Sequence, residues 1–203
     1  MARPLFVFAH GAGAPSASAW MQRWKGYLEE LGQVETFDYP YMAAGKRRPD
    51  PLPALMLAHQ QAITEATRGK RSPLVLIGKS MGSRVGCHVA SAQDAIAERV
   101  RAVICLGYPL KGMGKTQKLR DEVLLALDKP ILFVQGSRDS LCPPELLAKV
   151  RKKMRTRNEL YMIEGGSHSL EVGKRQLALQ GESQEDVDRE ALGAIHRFLD
   201  EVL

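Results

Sequence analysis

Six short apolar runs alternate along the chain with longer segments of helical periodicity. The runs occupy residues 5–9, 34–39, 74–78, 102–107, 131–135 and 159–163, and most are rich in Val, Ile, Leu or Phe. Near-continuous apolar strands of this kind are typical of a parallel sheet that is buried on both faces. Strands that alternate with helices and are joined by right-handed crossovers predict a doubly wound α/β fold, here a mainly parallel six-stranded sheet with helices on both faces.

Two segments show the helical pattern most clearly. Apolar residues recur at helical spacing across residues 20–31 and again across residues 187–202. Ser183 precedes the second segment, and Asp186 lies three residues after Ser183, which is the spacing of a capping arrangement. We therefore expect the last helix to begin just after Ser183.

The length and composition of the chain indicate one domain, spanning residues 1–203. Apolar residues make up 44% and charged residues 26% of the sequence, the balance of an ordinary globular protein. No apolar run approaches the roughly 20 residues that a membrane helix needs, and the first strand begins too early for a leader to precede it. We expect a cytoplasmic protein without membrane attachment.

The cysteines and histidines do not predict a metal site. Cys87, Cys105 and Cys142 are widely spaced and form no C-x-x-C pair, so we expect free thiols and no structural zinc. The histidines on the predicted helices lack cysteines or paired carboxylates at ligand spacing.

The net charge of +6 is concentrated in three basic clusters, at residues 46–48, 68–71 and 149–157. Such clusters can attract nucleic acid or anionic substrates. Solvated helix faces and loop tips are the better explanation of these clusters, and we do not expect nucleic acid as a partner.

The most informative motif is Gly78-Lys79-Ser80-Met81-Gly82, which follows the third predicted strand and precedes a helix-compatible segment at 81–92. In this context G-x-S-x-G predicts a nucleophile elbow, a sharp turn that exposes the serine at the edge of the sheet. The flanking glycines are needed because the strand and the helix approach each other closely. Ser80 is therefore the candidate nucleophile.

A serine hydroxyl needs a base to remove its proton and a third group to orient that base. Asp139 follows the fifth predicted strand, and His168 lies in a loop after the sixth. The carboxyl ends of parallel strands meet at one edge of the sheet, where such folds bind ligands. The order Ser80, Asp139, His168 is the chain order expected for this kind of elbow.

The first strand ends in His10-Gly11-Ala12-Gly13, a small loop that can turn a backbone amide toward the nucleophile. We expect an oxyanion hole made of the Met81 amide and the amide of Ala12, or of Gly11 if the loop turns one residue earlier. His10 itself is expected to hydrogen-bond the loop backbone.

Together with Gly107-Tyr108-Pro109-Leu110, these motifs resemble those of an α/β-hydrolase. More narrowly, they are similar to the small dienelactone-hydrolase-like branch that includes the testis-expressed and NSL-complex-subunit type proteins. The resemblance spans nearly the whole chain and implies a serine hydrolase with a triad of Ser80, Asp139 and His168 and no cofactor. That branch also includes members that resemble scaffolds more than enzymes.

Two departures from the larger family are expected. The usual first two strands are missing, and only residues 108–129 separate the fourth and fifth strands, where many lipases insert a lid. Lys79 and Arg138 either add positive potential near the site or point to solvent.

The leading interpretation is a lid-less serine hydrolase that cleaves small carboxylic esters or thioesters through an acyl-enzyme on Ser80. The alternative is a hydrolase-shaped binding module recruited to protein or nucleic-acid partners through its basic clusters. Peptidase action is disfavoured because many peptidases of this kind carry a substrate-filtering domain, and none is evident in the sequence.

Overall fold

The computed structural model describes residues 3–112 and 118–203, and it confirms the predicted α/β fold. The strands are β1 (Leu5–Ala9), β2 (Gln33–Phe37), β3 (Leu74–Lys79), β4 (Val100–Leu106), β5 (Ile131–Gly136) and β6 (Asn158–Ile163). They form one sheet in the order β2-β1-β3-β4-β5-β6, and every neighbouring pair is parallel.

Helices connect the strands and cover both faces of the sheet. They are α1 (Ala19–Glu29), α2 (Pro40–Ala43), α3 (Leu52–Ala66), α4 (Met81–Ala90), α5 (Ala95–Arg99), α6 (Glu122–Ala126), α7 (Pro144–Arg151), α8 (Lys174–Gln180) and α9 (Gln184–Val202). Within the described ranges, none of them combines the length and the apolar character that crossing a membrane requires.

The strand ends differ from the predicted bounds by at most two residues, and the largest changes have visible causes. β2 ends at Phe37 because the Tyr39 amide leaves the sheet and donates to His10 Nε2 at 3.1 Å, and α2 begins at Pro40. Helix α4 ends at Ala90, two residues earlier than predicted, since the Ala92 amide bonds to the carbonyl three residues back and closes a turn.

The first strand shows how the sheet is buried on both faces. Leu5 and Val7 point into one apolar cluster, which α3 and α4 cover, whereas Phe6 and Phe8 point into the other, which α1 and α9 cover. All of these side chains are fully buried. The near-continuous apolar sequence of the strands follows from this two-sided burial.

The predicted start of the last helix is confirmed. The Ser183 hydroxyl accepts from the Asp186 amide at 3.2 Å, and the Asp186 carboxylate accepts from the Ser183 amide at 2.8 Å. This reciprocal capping satisfies two backbone donors that the first turn of α9 leaves unpaired.

Two of the three basic clusters lie at the amino ends of strands, because residues 68–71 precede β3 and residues 149–157 precede β6. Acidic side chains pair with them in part: Lys70 contacts Glu35 at 3.1 Å, and Arg157 contacts Glu159 at 2.7 Å. These two clusters are therefore at the edge of the sheet opposite the strand ends that carry the candidate site.

Candidate active site

Ser80 lies in the sharp turn between β3 and α4. Its backbone has φ +50° and ψ −112°, a conformation that residues with a Cβ rarely adopt. The Ser80 amide donates a hydrogen bond to the Leu106 carbonyl at 3.0 Å. The two flanking glycines permit the turn. A methyl group on Gly78 would collide with the backbone of residues 82 and 83, and one on Gly82 would collide with the carbonyls of Ala9 and His10.

Replacing Gly82 with alanine is expected to lower the free energy of unfolding by about 3 kcal/mol, because the colliding atoms are backbone and cannot rotate away. Urea unfolding of the purified variant measures the change. Gly26→Ala is the matched control, since Gly26 is exposed within α1 and has open space around its Cα. That variant is expected to be more stable than the parent by up to about 1 kcal/mol. Equal stability of the two variants would contradict the prediction.

The structure brings Ser80, His168 and Asp139 together in one hydrogen-bonded chain. Ser80 Oγ lies 2.7 Å from His168 Nε2, and His168 Nδ1 lies 2.6 Å from Asp139 Oδ2. The His168 side chain is 27% exposed, whereas that of Asp139 is fully buried. A proton can therefore pass from the serine to the imidazole while the carboxylate holds the other side of the ring.

The Asp139 carboxylate accepts hydrogen bonds from other groups besides the His168 imidazole. Its Oδ1 accepts from the Leu141 amide at 2.8 Å, and its Oδ2 also accepts from Gln135 Nε2 at 2.5 Å. Gln135 is fully buried, and its Oε1 accepts from the Tyr108 amide at 2.9 Å. The sequence identified Gln135 only as the last residue of a predicted strand. The signal that could have revealed its role is a polar side chain at the end of a buried apolar run.

Two glycines allow the histidine loop to approach the sheet. Gly107, after β4, has φ +70°, and a methyl group there would lie 2.5 Å from the His168 carbonyl oxygen. Gly136, at the end of β5, packs in the same way against the carbonyls of Gly166 and Ser167. Larger residues at either position would push His168 away from Ser80.

The loop after β1 lies against the elbow. A methyl group on Gly11 would lie 3.6 Å from Ser80 Cβ. His10 Nδ1 donates to the Gly11 carbonyl at 2.6 Å, as expected for a histidine that orders the loop, and Tyr41 Oη donates to the Ala12 carbonyl at 3.0 Å. These bonds occupy the carbonyl oxygens of Gly11 and Ala12. Burial lowers the pKa of His10 and so keeps its ring neutral. The unprotonated Nε2 can therefore accept a hydrogen bond from a backbone amide, that of Tyr39.

The amides expected to form an oxyanion hole have no competing acceptor. Within the described residues, neither the Met81 amide, at the first position of α4, nor the Ala12 amide donates a hydrogen bond. The first amides of a helix have no acceptor within that helix, and they carry the positive end of its dipole. The Met81 amide, next to Ser80 in the chain, is therefore free among the described residues to donate to a bound anion.

A cleft of about 440 Å³ opens beside Ser80 and His168. Its walls are mostly apolar, and they include Ala12, Ala14, Trp20, Met21 and Leu141. Lys79 is the only lysine or arginine among the described residues that line it. The cleft can therefore hold a small, largely apolar group next to the serine.

Trp20 and Lys79 form one wall of this cleft. Trp20 Nε1 donates to the Ser169 carbonyl at 2.9 Å, and Lys79 Nζ lies 4.3 Å from the Trp20 ring centroid and donates to Ser169 Oγ at 2.8 Å. Burial lowers the pKa of Lys79. The sequence predicted only an apolar helix face across residues 20–31, and the structure places Trp20 of that face in the wall of the cleft. Arg138, in contrast, is exposed.

Comparison with known protein families agrees with this geometry, because residues 2–200 match the alpha/beta hydrolase domain family. The chain belongs to this family. The match covers the elbow, the acid loop and the histidine loop of the alpha/beta hydrolase in a single alignment.

Solved structures resemble this alpha/beta hydrolase over most of its length. A serine hydrolase homologue from Coxiella burnetii superimposes with a TM-score of 0.70 at 19% identity, over 93% of this chain and 85% of that one. A dienelactone hydrolase from Anabaena variabilis gives a TM-score of 0.70 at 18% identity, over 100% and 88% of the two chains. A serine hydrolase without a lid from Xanthomonas campestris gives 0.63 at 18% identity, over 94% and 83%. At these identities the likeness establishes the fold.

No lid was expected in the stretch between β4 and β5. The described part of this stretch leaves the cleft of the alpha/beta hydrolase uncovered. Its residues 113–117 lie outside the described part of the chain. Lys111 and Leu119 form an antiparallel bridge, and α6 follows. None of the described residues in this stretch lines the cleft beside Ser80.

Cys142 lies close to the acid loop, where its amide donates to the Asp139 carbonyl at 3.1 Å. Burial, followed by the negative charge of Asp139, raises the pKa of the Cys142 thiol to about 12. A thiol with this pKa stays protonated at neutral pH, so Ser80 is the better candidate nucleophile of the alpha/beta hydrolase.

Proposed function

We propose that this protein is a serine hydrolase that cleaves small carboxylic esters or thioesters through an acyl-enzyme on Ser80. The observation that carries the proposal is the chain of hydrogen bonds from Ser80 Oγ through His168 to the buried Asp139, with distances of 2.7 and 2.6 Å. In this proposal the three residues are the catalytic triad, and no cofactor takes part.

The first half of the reaction forms the acyl-enzyme. His168 Nε2 takes the hydroxyl proton of Ser80 as Oγ bonds to the carbonyl carbon of the substrate. The negative charge that develops on the carbonyl oxygen is stabilised by the amides of Met81 and Ala12. The tetrahedral intermediate then collapses, and the departing alkoxide or thiolate takes the proton from His168.

The second half releases the acid. A water molecule loses a proton to His168 Nε2 and attacks the acyl carbon, and a second tetrahedral intermediate forms on the same amides. Its collapse breaks the bond to Ser80 Oγ, which regains its proton from His168. The free carboxylic acid leaves the cleft.

Asp139 fixes the tautomer that this mechanism needs. Because its carboxylate accepts at Nδ1, the neutral His168 carries its proton on Nδ1 and presents the lone pair of Nε2 to the serine. When His168 becomes positively charged, the buried carboxylate stabilises that charge.

The size and lining of the cleft suggest the substrate class. About 440 Å³ bounded by Trp20, Met21 and Leu141 accepts a short acyl or aryl group, and the described residues leave its mouth open to water. One structural neighbour, Est1E from Butyrivibrio proteoclasticus, has been solved with ferulic acid bound, and another is named a dienelactone hydrolase. These names favour small esters for this chain.

The same motifs suggest the narrower dienelactone-hydrolase-like branch of the family, with the testis-expressed and NSL-complex-subunit type proteins, and the buried free cysteines favour the cytoplasm. A hydrolase fits the structure better than a pure binding module, because a scaffold does not require an aligned serine, histidine and buried acid.

Fluorophosphonate labelling and ester turnover test the proposal together. We expect one phosphonyl adduct per chain, located on Ser80 by peptide mass spectrometry, and turnover of p-nitrophenyl acetate and of a short acyl thioester. Activity is expected to decline as the acyl chain outgrows the cleft. An adduct on another residue, or no turnover of either substrate class, would contradict the proposal.

A further inference from the structure

A second cavity, of about 380 Å³, lies between α3, α4 and α6 and shares no lining residue with the cleft beside Ser80. Arg84 and His88 enter it from α4, one turn apart on the same face. Lys118 and Arg120 enter from the segment before α6, and Leu52 of α3 closes one side. Four basic side chains thus converge on one concave surface.

The described residues do not balance the charge in this cavity. Glu122 is the only acid among its described lining residues, and it pairs with Lys118 at 3.1 Å, where both side chains are more than three-quarters exposed. Within the described parts of the chain, the guanidinium groups of Arg84 and Arg120 have neither an acidic partner nor a hydrogen bond. Arg84, Arg120 and Lys118 against Glu122 leave an excess of two positive charges.

Arg84 holds its charge in a partly desolvated position. Its Nε is a buried atom that finds no hydrogen-bond acceptor among the described residues. Burial, followed by the like charge of Arg120, lowers the pKa of the Arg84 guanidinium, although an arginine remains charged at neutral pH. A buried donor without a partner costs free energy, and so does the mutual repulsion of two guanidinium groups; an anion between them would relieve both.

His88 adds a neutral polar group to the same wall. Burial, followed by the charge of Arg84, lowers the pKa of His88, so its imidazole is uncharged at neutral pH and can donate or accept one hydrogen bond. Two planar guanidinium forks match the oxygens of a phosphate group better than a single carboxylate, because a phosphate offers three acceptor oxygens and up to two negative charges. The cavity also exceeds the volume that a bare phosphate fills.

We propose that the cavity bounded by Arg84, His88 and Arg120 is a binding site for the phosphate group of a small phosphate monoester. Arg84 and Arg120 bind the phosphate oxygens, His88 contributes a neutral hydrogen bond, and Lys118 adds positive charge at the rim. The site is separate from the proposed hydrolytic centre, and it does not depend on Ser80 being a nucleophile.

Isothermal titration calorimetry of the full chain at low salt tests the site, with glycerol 2-phosphate, inorganic phosphate and acetate as probes. The parent is expected to bind both phosphates and to bind acetate more weakly. Arg84→Gln and Arg120→Gln are each expected to reduce phosphate affinity about 10-fold to 100-fold, since each removes charge-assisted hydrogen bonds. Arg84→Lys keeps the charge but loses the fork, so its loss is intermediate.

Arg155→Gln is the matched control, because it removes one positive charge from an exposed residue before β6, at the edge of the sheet opposite the strand ends that lead into α4 and α6. Its affinity for phosphate is expected to stay within about two-fold of the parent, since exposed charges are screened beyond about 10 Å. Equal weakening in all three glutamine variants, or acetate binding as tight as phosphate, would overturn the proposal. Circular dichroism verifies the fold of each variant, and Arg120→Gln decides the matter if Arg84→Gln does not fold.

Discussion

Ser80→Ala is expected to reduce kcat for p-nitrophenyl acetate by about 10⁵-fold to 10⁶-fold, because it removes the only atom that can form the acyl-enzyme. Steady-state turnover and active-site titration measure the loss. The residual rate would come from the cleft and the amides of Met81 and Ala12, which the substitution leaves in place.

Two further variants separate lost chemistry from lost structure. Ser140→Ala makes the same chemical change at an exposed serine next to Asp139, and it is expected to keep the parent's activity. Ser80→Gly is expected to be as inactive as Ser80→Ala but more stable by about 1 kcal/mol, since glycine relieves the positive φ of the elbow. Substantial turnover by either Ser80 variant would rule out the acyl-enzyme mechanism.

Asp139→Asn is expected to reduce kcat by about 10⁴-fold while KM changes little. The carboxylate accepts three hydrogen bonds, from His168 Nδ1 and Gln135 Nε2 at Oδ2 and from the Leu141 amide at Oδ1. An asparagine has one acceptor oxygen, so its NH₂ group must face at least one of these donors. If the NH₂ group faces His168, the ring proton moves to Nε2, and the imidazole can no longer accept the serine proton.

The pH dependence of kcat distinguishes this tautomer effect from a loss of structure. In Asp139→Asn the remaining activity is expected to rise with pH as hydroxide replaces the missing base, whereas a locally unfolded site would show no such recovery. Asp128→Asn, at a carboxylate whose side chain is 74% exposed, is the matched control and is expected to behave as the parent. An Asp139→Asn enzyme with more than about a tenth of the parent's kcat would contradict a role for Asp139 in orienting His168.

The sequence was sufficient to predict the sheet and the three residues at its edge. Ser80, Asp139 and His168 each follow an apolar run closely, and parallel strands bring their carboxyl ends to the same edge of the sheet. Position after a strand is a local property of the chain, so periodicity and glycine placement were enough to find these residues.

The remaining features of the site depend on contacts between distant parts of the chain. Trp20 reaches Ser169 across 149 residues, and Gln135 joins the backbone of one strand end to the acid of another. The periodicity of a sequence does not indicate which distant residue a side chain will contact. For the same reason Arg84 could not be assigned a role from the sequence, since its proximity to Arg120 depends on how α4 packs beside the segment before α6.

The groups of the site come from five strand ends: the loop after β1, the elbow after β3, Gly107 after β4, the acid loop after β5 and the histidine loop after β6. Adjacent strands hold these ends in register, so separation of any neighbouring pair between β3 and β6 breaks the chain of hydrogen bonds to Ser80. If the proposed function holds, catalytic turnover therefore reports the assembly of these strands. During refolding, ester hydrolysis should return only with the last strand pair to form, and it should lag behind the recovery of helical circular dichroism.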